Sequence, residues 1–310
     1  MAEEMKKKNA EVYPATVKVG CAVCGGKRER FLYRVDGYRL VRCRDCGLAF
    51  LNPRPSVKEL DRFYDQYFQD QVDPDGKKRN YYAEKDVKLK AFYDEYLKLE
   101  GFLKRRKGKI LDVGCAAGYF LESMPDSWER YGVEYDKSCA REANKIPGVT
   151  VKAGSLLKAK YGKEFFDVVA LLQTIEHMPD PSENIAECSR ILKKGGILYV
   201  TTPNFGSMTA RVFKANHRLI TAPAHLYYFT PKTLGLLLKK HGFKVVKVHY
   251  PYFETNYFKL GDICRLYGRV FLVKAGYPLL KGLGLIRKVP PVVSLAFYKN
   301  MMDVYAVKIK

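Results

Sequence analysis

The stretch Ile110-Leu-Asp-Val113, followed at once by Gly114-Cys-Ala-Ala-Gly118 and Tyr119-Phe-Leu-Glu-Ser-Met124, constrains the fold of this chain more than any other. A short apolar run that breaks into small residues and then regains helical spacing is a buried strand feeding a helix through a tight turn. Small side chains there let a ligand approach the turn backbone and the amino end of the helix, where amide N–H groups point outward. The glycine spacing is not Gly-x-Gly-x-x-Gly, so it does not indicate a nicotinamide site. Further on, Tyr131-Gly-Val-Glu134 reads as a second strand ending on a carboxylate, which suits a ribose diol. Val149–Ala153, Phe166–Leu172, Gly196–Thr202 and Phe243–Tyr250 supply more strands, with helical stretches between them. Alternating strands and helices need crossovers, and crossovers give a parallel sheet with helices on both faces. The expected class is α/β.

Before this region lies a cysteine quartet: Cys21-Ala-Val-Cys24-Gly25 and Cys43-Arg-Asp-Cys46-Gly47. Each Cys-x-x-Cys turn aims two thiolates at one centre, and the following glycine permits the tight turn. Two such knuckles close a tetrahedral sulfur site suited to zinc, with Cys21, Cys24, Cys43 and Cys46 as the ligands. Between them, Asp36-Gly37 flanked by Phe31–Val35 and Tyr38–Val41 signals a two-residue hairpin. The expectation is a small zinc ribbon over 1–55, with Zn2+ replacing the core that so short a segment lacks. After it, 56–107 reads as a helical linker or cap: Ser56 and Glu59 form a capping box ahead of Leu60, Phe63, Tyr64 and Tyr67, and a second helix covers about 84–106.

The chain carries 55 Lys+Arg against 33 Asp+Glu, a net charge of +22, which points to an anionic partner or a Lys-rich solvated surface. With 47% hydrophobic residues it fills a real core, which excludes wholesale disorder. Eight cysteines are too few for a disulfide scaffold, and the opening MAEEMKKKNAEVYP has no apolar core of a secretory signal. A cytoplasmic location is expected, with contact at the inner membrane face as an option.

The stretches ILDVGCAAG, YGVEYD, FDVVALLQTIEHMPDP and RILKKGGILYVTTPN together resemble the class I, Rossmann-like, seven-stranded S-adenosylmethionine-dependent methyltransferases. PAHLYYFTPKTLGLLLKKHGF resembles a segment of members with an amino-terminal zinc-binding region, and Glu-His-x-x-Asp-Pro is shared with lipid-quinone methyltransferases. The resemblance implies a core over 108–250 completed by a last strand at 300–310. It also implies site residues. Gly114, Cys115 and Gly118 would face the methionine part of S-adenosylmethionine, and Glu134 the ribose. Tyr135 would stack near adenine, with Ser155 and Leu156 at its edge and Leu172 and Gln173 near the sulfonium. Two departures stand out: Ala116 replaces the usual middle glycine, and Ser155 stands where the family often has Asp.

Methyl transfer to a hydroxyl or acidic carbon profits from a general base, and histidine serves near neutral pH. His177 follows the fourth strand and His225 lies in PAHLYYFT; these are the candidate catalytic residues, with His225 preferred. His217 is placed to flank the acceptor, while His241 and His249 look incidental.

Residues 251–299 form an apolar yet basic insertion. Lys259, Asp262, Arg265 and Arg269 line one side of a helical pattern, opposite Tyr257, Leu260, Ile263, Tyr267, Val270 and Phe271. This suits a lid, a subunit contact or peripheral membrane contact through 256–290. The resulting expectation is a methyltransferase for a small or lipid-linked metabolite (sugar, quinone or polyketide-like). The alternatives are an RNA or protein methyltransferase docking through the ribbon, with nucleic acid disfavoured by the spread of charge, and a non-catalytic cofactor-binding regulator. The sequence does not indicate an oligomeric state.

Overall fold

The computed structural model describes residues 15–67, 85–103, 106–217, 219–251, 268, 271–285 and 300–310. Thirteen strands occur among them. They are β1 (Thr16–Val17), β2 (Glu29–Val35), β3 (Tyr38–Cys43), β4 (Ala49–Leu51), β5 (Arg54–Pro55), β6 (Gly108–Val113), β7 (Trp128–Glu134), β8 (Val149–Ala153), β9 (Phe166–Leu172), β10 (Leu192–Pro203), β11 (Tyr227–Tyr228), β12 (Phe243–His249) and β13 (Met301–Lys308).

The main sheet has seven strands in the order β12-β13-β10-β9-β6-β7-β8. β6 runs parallel to β7 and β9, and β7 to β8. The Asn204 N–H donates to the Asn300 carbonyl and the Ile309 N–H to the Gly242 carbonyl, so β13 runs against both neighbours. The expected seven-stranded Rossmann-like sheet is therefore present, and its last strand is the 300–310 segment. The chain order reverses beside β6, the point at which open sheets of this type place ligands outside the carboxyl ends of their strands.

The core follows from the apolar runs. Ile110, Val168, Ala170 and Tyr199 on the strands bury against Phe120, Leu121 and Met124 after the glycine turn and against Tyr96 and Leu99 of the helix Lys85–Leu103. Tyr199 and Tyr305 stack at 4.7 Å, and the Tyr199 hydroxyl reaches Glu95 on that helix. Buried Arg130 donates to the Leu121 and Met124 carbonyls, closing the end of the short helix Tyr119–Ser123.

The cysteine segment folds as expected around its hairpin. Asp36 and Gly37 both have positive φ, as a two-residue turn of this hand requires. Its sheet, however, is four-stranded, ordered β11-β4-β3-β2. β11 pairs antiparallel with β4 (Tyr227 opposite Phe50, Tyr228 opposite Ala49). Leu40, Val41, Leu48 and Leu51 of the ribbon are buried, as are Leu226, Tyr227, Tyr228 and Phe229. The ribbon's small core is thus completed by a segment far away in sequence, in addition to any metal.

Compactness divides the described residues into two units. One is drawn from Met1–Pro55, Thr201–Leu236 and Val248–Val304, the other from Ser56–Val200, Leu237–Lys247 and Tyr305–Lys310. The helix Val57–Tyr67 starts where Ser56 accepts from the Glu59 N–H at 3.4 Å, matching the expected cap. Most of the basic amphipathic pattern of the insertion lies outside the described residues. Within 271–285, Phe271, Leu279, Leu283 and Leu285 are exposed around the short helix Tyr277–Gly282. No helix among the described residues is long and apolar enough to cross a membrane.

Candidate functional site

In the larger unit, the turn after β6 and the carboxylate that ends β7 form the candidate site. Gly114, Ala116 and Gly118 all have positive φ, at 76°, 47° and 79°. A Cβ at Gly114 would come within 2.7 Å of Thr174, and one at Gly118 within 2.9 Å of Ala143 and Ile146. Only glycine fits either place. Ala116 tolerates its left-handed conformation at a cost of about 1–2 kcal/mol. The Cys115 side chain packs against Gly132, and burial pushes its thiol well up, so it is not a nucleophile. Cys115 can meet a ligand here with its backbone only.

Glu134 ends β7 beside this turn and is buried. Its Oε2 accepts from the Ala116 N–H and its Oε1 from the Asp136 N–H, both at 2.8 Å. Each oxygen keeps a further lone pair for a donor such as a ribose hydroxyl. Burial raises its pKa, against the opposing pull of those two N–H groups. Asp112 in β6 was not singled out from the sequence. It is buried, its Oδ1 meets no hydrogen-bond partner, and burial together with the Glu134 charge pushes its carboxyl up to about 8. The signal was available: an acid inside an otherwise apolar strand needs a partner.

Two buried carboxylates at a glycine turn suit a ligand that brings positive charge and a diol. S-adenosylmethionine has both, in its ammonium and sulfonium and in its ribose. The orphaned Asp112 oxygen and the close-approach glycines fit that group.

The other expected residues fall as follows. Tyr135 is nearly half exposed, and its hydroxyl donates to Asp61 at 2.6 Å, which leaves its ring at the surface after β7. Ser155 precedes the short helix Leu156–Ala159, makes no capping bond to it, and is half-buried, while Leu156 is buried. Leu172 ends β9 half-buried, and Gln173 follows with φ 52° and an exposed side chain. A non-glycine residue held in that conformation at a strand end is strain of the kind found at functional sites. His177 is half-buried, its N–H bonded to the Thr174 carbonyl.

In the smaller unit, His225 Nδ1 lies 3.1 Å from the Leu219 carbonyl. That contact places the proton on Nδ1 and the lone pair on Nε2. Burial lowers its pKa to about 4, so the imidazole is neutral at pH 7. His217 is engaged by its own neighbours. It is buried, Nε2 meets Thr209 at 3.1 Å and Nδ1 accepts from the Leu219 N–H at 3.2 Å, so it orders this turn.

The four knuckle sulfurs lie within 4.8 Å of one another, with Cys21–Cys46 at 3.4 Å and Cys24–Cys43 at 3.5 Å. These separations exceed a disulfide bond and are near the ~3.8 Å edge of a tetrahedron with 2.3 Å zinc–sulfur bonds. The Gly25 and Gly47 N–H groups donate to the Cys21 and Cys43 carbonyls, closing both knuckles. Without a cation, burial pushes the Cys46 thiol up to about 11; a divalent ion would displace that proton.

The raised carboxyls carry a pH signature. Asp112 binds its proton more tightly folded than unfolded, so the stability it lends is complete below about pH 4 and is lost as pH rises towards about 8. Glu134 acts in the same direction. Cofactor-free protein is expected to melt at a lower temperature at about pH 8 than at about pH 5, and Asp112→Asn to flatten the difference. Thermal melts of both proteins check this; an unchanged slope in the variant would remove Asp112 as its source.

Residues 82–248 match the Methyltransf_23 model, a methyltransferase domain, over more than half of the chain. A probable S-adenosylmethionine-dependent methyltransferase of Mycolicibacterium smegmatis is 30% identical over 138 residues, 44% of this chain and 52% of its own length. The ubiquinone biosynthesis O-methyltransferase of Methylococcus capsulatus is 29% identical over 141 residues, 43% of this chain and 56% of its own. The chain thus spans about half the length of these relatives. Among solved structures, a methyltransferase of Thermotoga maritima described as a possible histamine N-methyltransferase is 20% identical, with 80% of this chain and 98% of that one covered and a TM-score of 0.49. With the glycine turn and seven-stranded sheet in place, the family match decides the assignment: this chain belongs to the Methyltransf_23 family of methyltransferase domains.

Proposed function

We propose that this protein is an S-adenosylmethionine-dependent methyltransferase whose acceptor is a small or lipid-linked metabolite. The observation that carries the reading is the buried Asp112–Glu134 pair at the glycine turn. When bound, S-adenosylmethionine supplies an activated methyl group, so the protein's work is alignment, charge complementation and exclusion of water.

Glu134 would hold the ribose hydroxyls through its remaining lone pairs, and Asp112 would offer its unpartnered oxygen to the cationic part. Gly114, Cys115 and Gly118 would line the methionine portion with backbone. Tyr135, Ser155 and Leu156 would bound the adenine, and Leu172 and Gln173 the sulfonium. His225 is the preferred general base, because burial keeps its imidazole neutral near pH 7, and His177 is the second candidate. Cys21, Cys24, Cys43 and Cys46 would hold one zinc ion with a structural role.

The relatives named for ubiquinone biosynthesis support a small-molecule acceptor over RNA or protein. A methyl-transfer screen with radiolabelled cofactor against fractions of small molecules, lipids, RNA and protein tests this. Label entering the small-molecule or lipid fraction is expected; label confined to RNA or protein would select the docking alternative, and no transfer to any fraction the regulatory one.

We also place peripheral contact with the cytoplasmic membrane face in 256–290. The exposed Phe271, Leu279, Leu283 and Leu285 support it. Basic residues near an anionic surface add about 1 kcal/mol each. Flotation with anionic vesicles at low salt is expected to carry the intact protein, and deletion of 256–290 to abolish flotation. An intact protein that ignores such vesicles would leave the segment as a lid or subunit contact.

A further inference from the structure

The hairpin of the cysteine segment carries charge that neither the zinc nor the cofactor reading uses. Within residues 27–44, seven Lys and Arg stand against two acids, Glu29 and Asp36. Both acids are engaged: Glu29 accepts from the Asn52 side chain and Asp36 from the Ala222 N–H. Asp45, just beyond, pairs with Arg28. Arg30, Arg34 and Arg39 make no ion pair among the described residues.

Two observations set this surface apart. First, the register puts like charges opposite each other twice: Arg34 faces Arg39 near the turn, and Arg30 faces Arg42 further along. Like charges directly across a ladder destabilise it. Arg34 is exposed, and its Nη1 donates to the Gly37 carbonyl at 3.0 Å, a turn contact that leaves most of the fork unused. Arg39 is half-buried and sits over the Phe31 ring at 5.7 Å. Second, Phe31 is 50% exposed on β2, an edge strand of its sheet. Val35, Leu40 and Val41 of the same hairpin are buried, so the ring stands open to solvent while its apolar neighbours do not.

We propose that Phe31, Arg34 and Arg39 form a docking surface of the ribbon for an anionic phospholipid membrane. Charge complementarity selects the partner: guanidiniums match headgroup phosphates and carboxylates, and an aromatic ring fits the boundary between headgroups and acyl chains. Arg39 already takes one face of the Phe31 ring, which suits insertion better than the stacking of successive bases, so lipid is favoured over single-stranded nucleic acid. The same compact unit also exposes Phe271, Leu279, Leu283 and Leu285. Small peripheral contacts hold a bilayer only in combination, which makes the ribbon surface a second contact acting together with 256–290. This inference does not depend on the cofactor reading.

The test uses the zinc-replete full chain with Phe31→Trp, titrated at low salt with vesicles of phosphatidylcholine and phosphatidylserine and with vesicles of phosphatidylcholine alone. The native tryptophan, Trp128, is buried, so a change in emission reports position 31. The emission is expected to shift to the blue with the anionic vesicles, to return when salt is added, and to stay unchanged with the neutral ones. Arg34→Gln combined with Arg39→Gln is expected to weaken vesicle binding about twenty- to thirtyfold, about fivefold for each charge, and the matching pair of Lys substitutions to retain most of it. Full zinc content identifies a folded ribbon. Arg34→Gln alone, expected to lose about fivefold, serves if the pair loses zinc. The proposal is overturned if position 31 keeps its emission while the protein floats with the vesicles, which would leave the membrane contact to 256–290 alone. It is overturned equally if zinc-replete variants bind like the parent, or if the intact protein ignores anionic vesicles. Polyuridylate bound through the same arginines in that last case would make the surface a nucleic-acid contact instead.

Discussion

His225→Ala is expected to keep cofactor affinity while losing turnover by roughly 10²–10⁴, the usual worth of a positioned general base. The wild-type imidazole is neutral at pH 7 because burial lowers its pKa to about 4, and its Nδ1 is committed to the Leu219 carbonyl. The acid limb of the turnover profile should therefore not begin until pH falls towards about 4, unless another group intervenes. Single-turnover rates across pH, with cofactor affinity measured alongside, check both statements. Full activity in His225→Ala and in His177→Ala would mean that catalysis is positioning alone, with an acceptor already nucleophilic.

Cys43→Ser is expected to reduce bound zinc from about one equivalent per chain to none and to unfold the ribbon. Structural zinc supplies about 10–16 kcal/mol in isolated finger peptides, far beyond what so short a segment gains from its core. The loss should not stop at residue 55, because β11 pairs with β4 and the Leu51 N–H donates to the Leu226 carbonyl. Hydrogen exchange should therefore rise at Leu226–Phe229 as well as in β2–β4. Metal analysis with exchange mass spectrometry measures both; a metal-free protein with native protection in these strands would contradict the zinc site.

Local chemistry was legible in the sequence. The knuckles, the Asp36-Gly37 hairpin, the glycine turn and the carboxylate ending β7 are each set by a few adjacent residues, and each formed where its pattern indicated. Long-range pairing was not legible. Tyr227-Tyr228 reads as two apolar aromatics in a loop, and nothing local says that they extend a sheet begun at residue 29. His217 shows the same limit, because a polar ring becomes structural only once Thr209 and Leu219 close around it. Asp112 was the opposite case: its oddity was visible, and only its burial beside Glu134 gave it meaning.

The central claim is that the turn after β6 and the carboxylate ending β7 hold S-adenosylmethionine. Calorimetric titration of the wild type and Glu134→Ala tests it most directly. Under this claim Glu134 would offer charged acceptors to two hydroxyls, and hydrogen bonds to a charged group contribute about 1.5–3 kcal/mol each. The wild type should bind one equivalent per chain, and the variant should bind at least about tenfold more weakly, with its fold intact by circular dichroism. No binding by the wild type, or equal binding by the variant, would contradict the account.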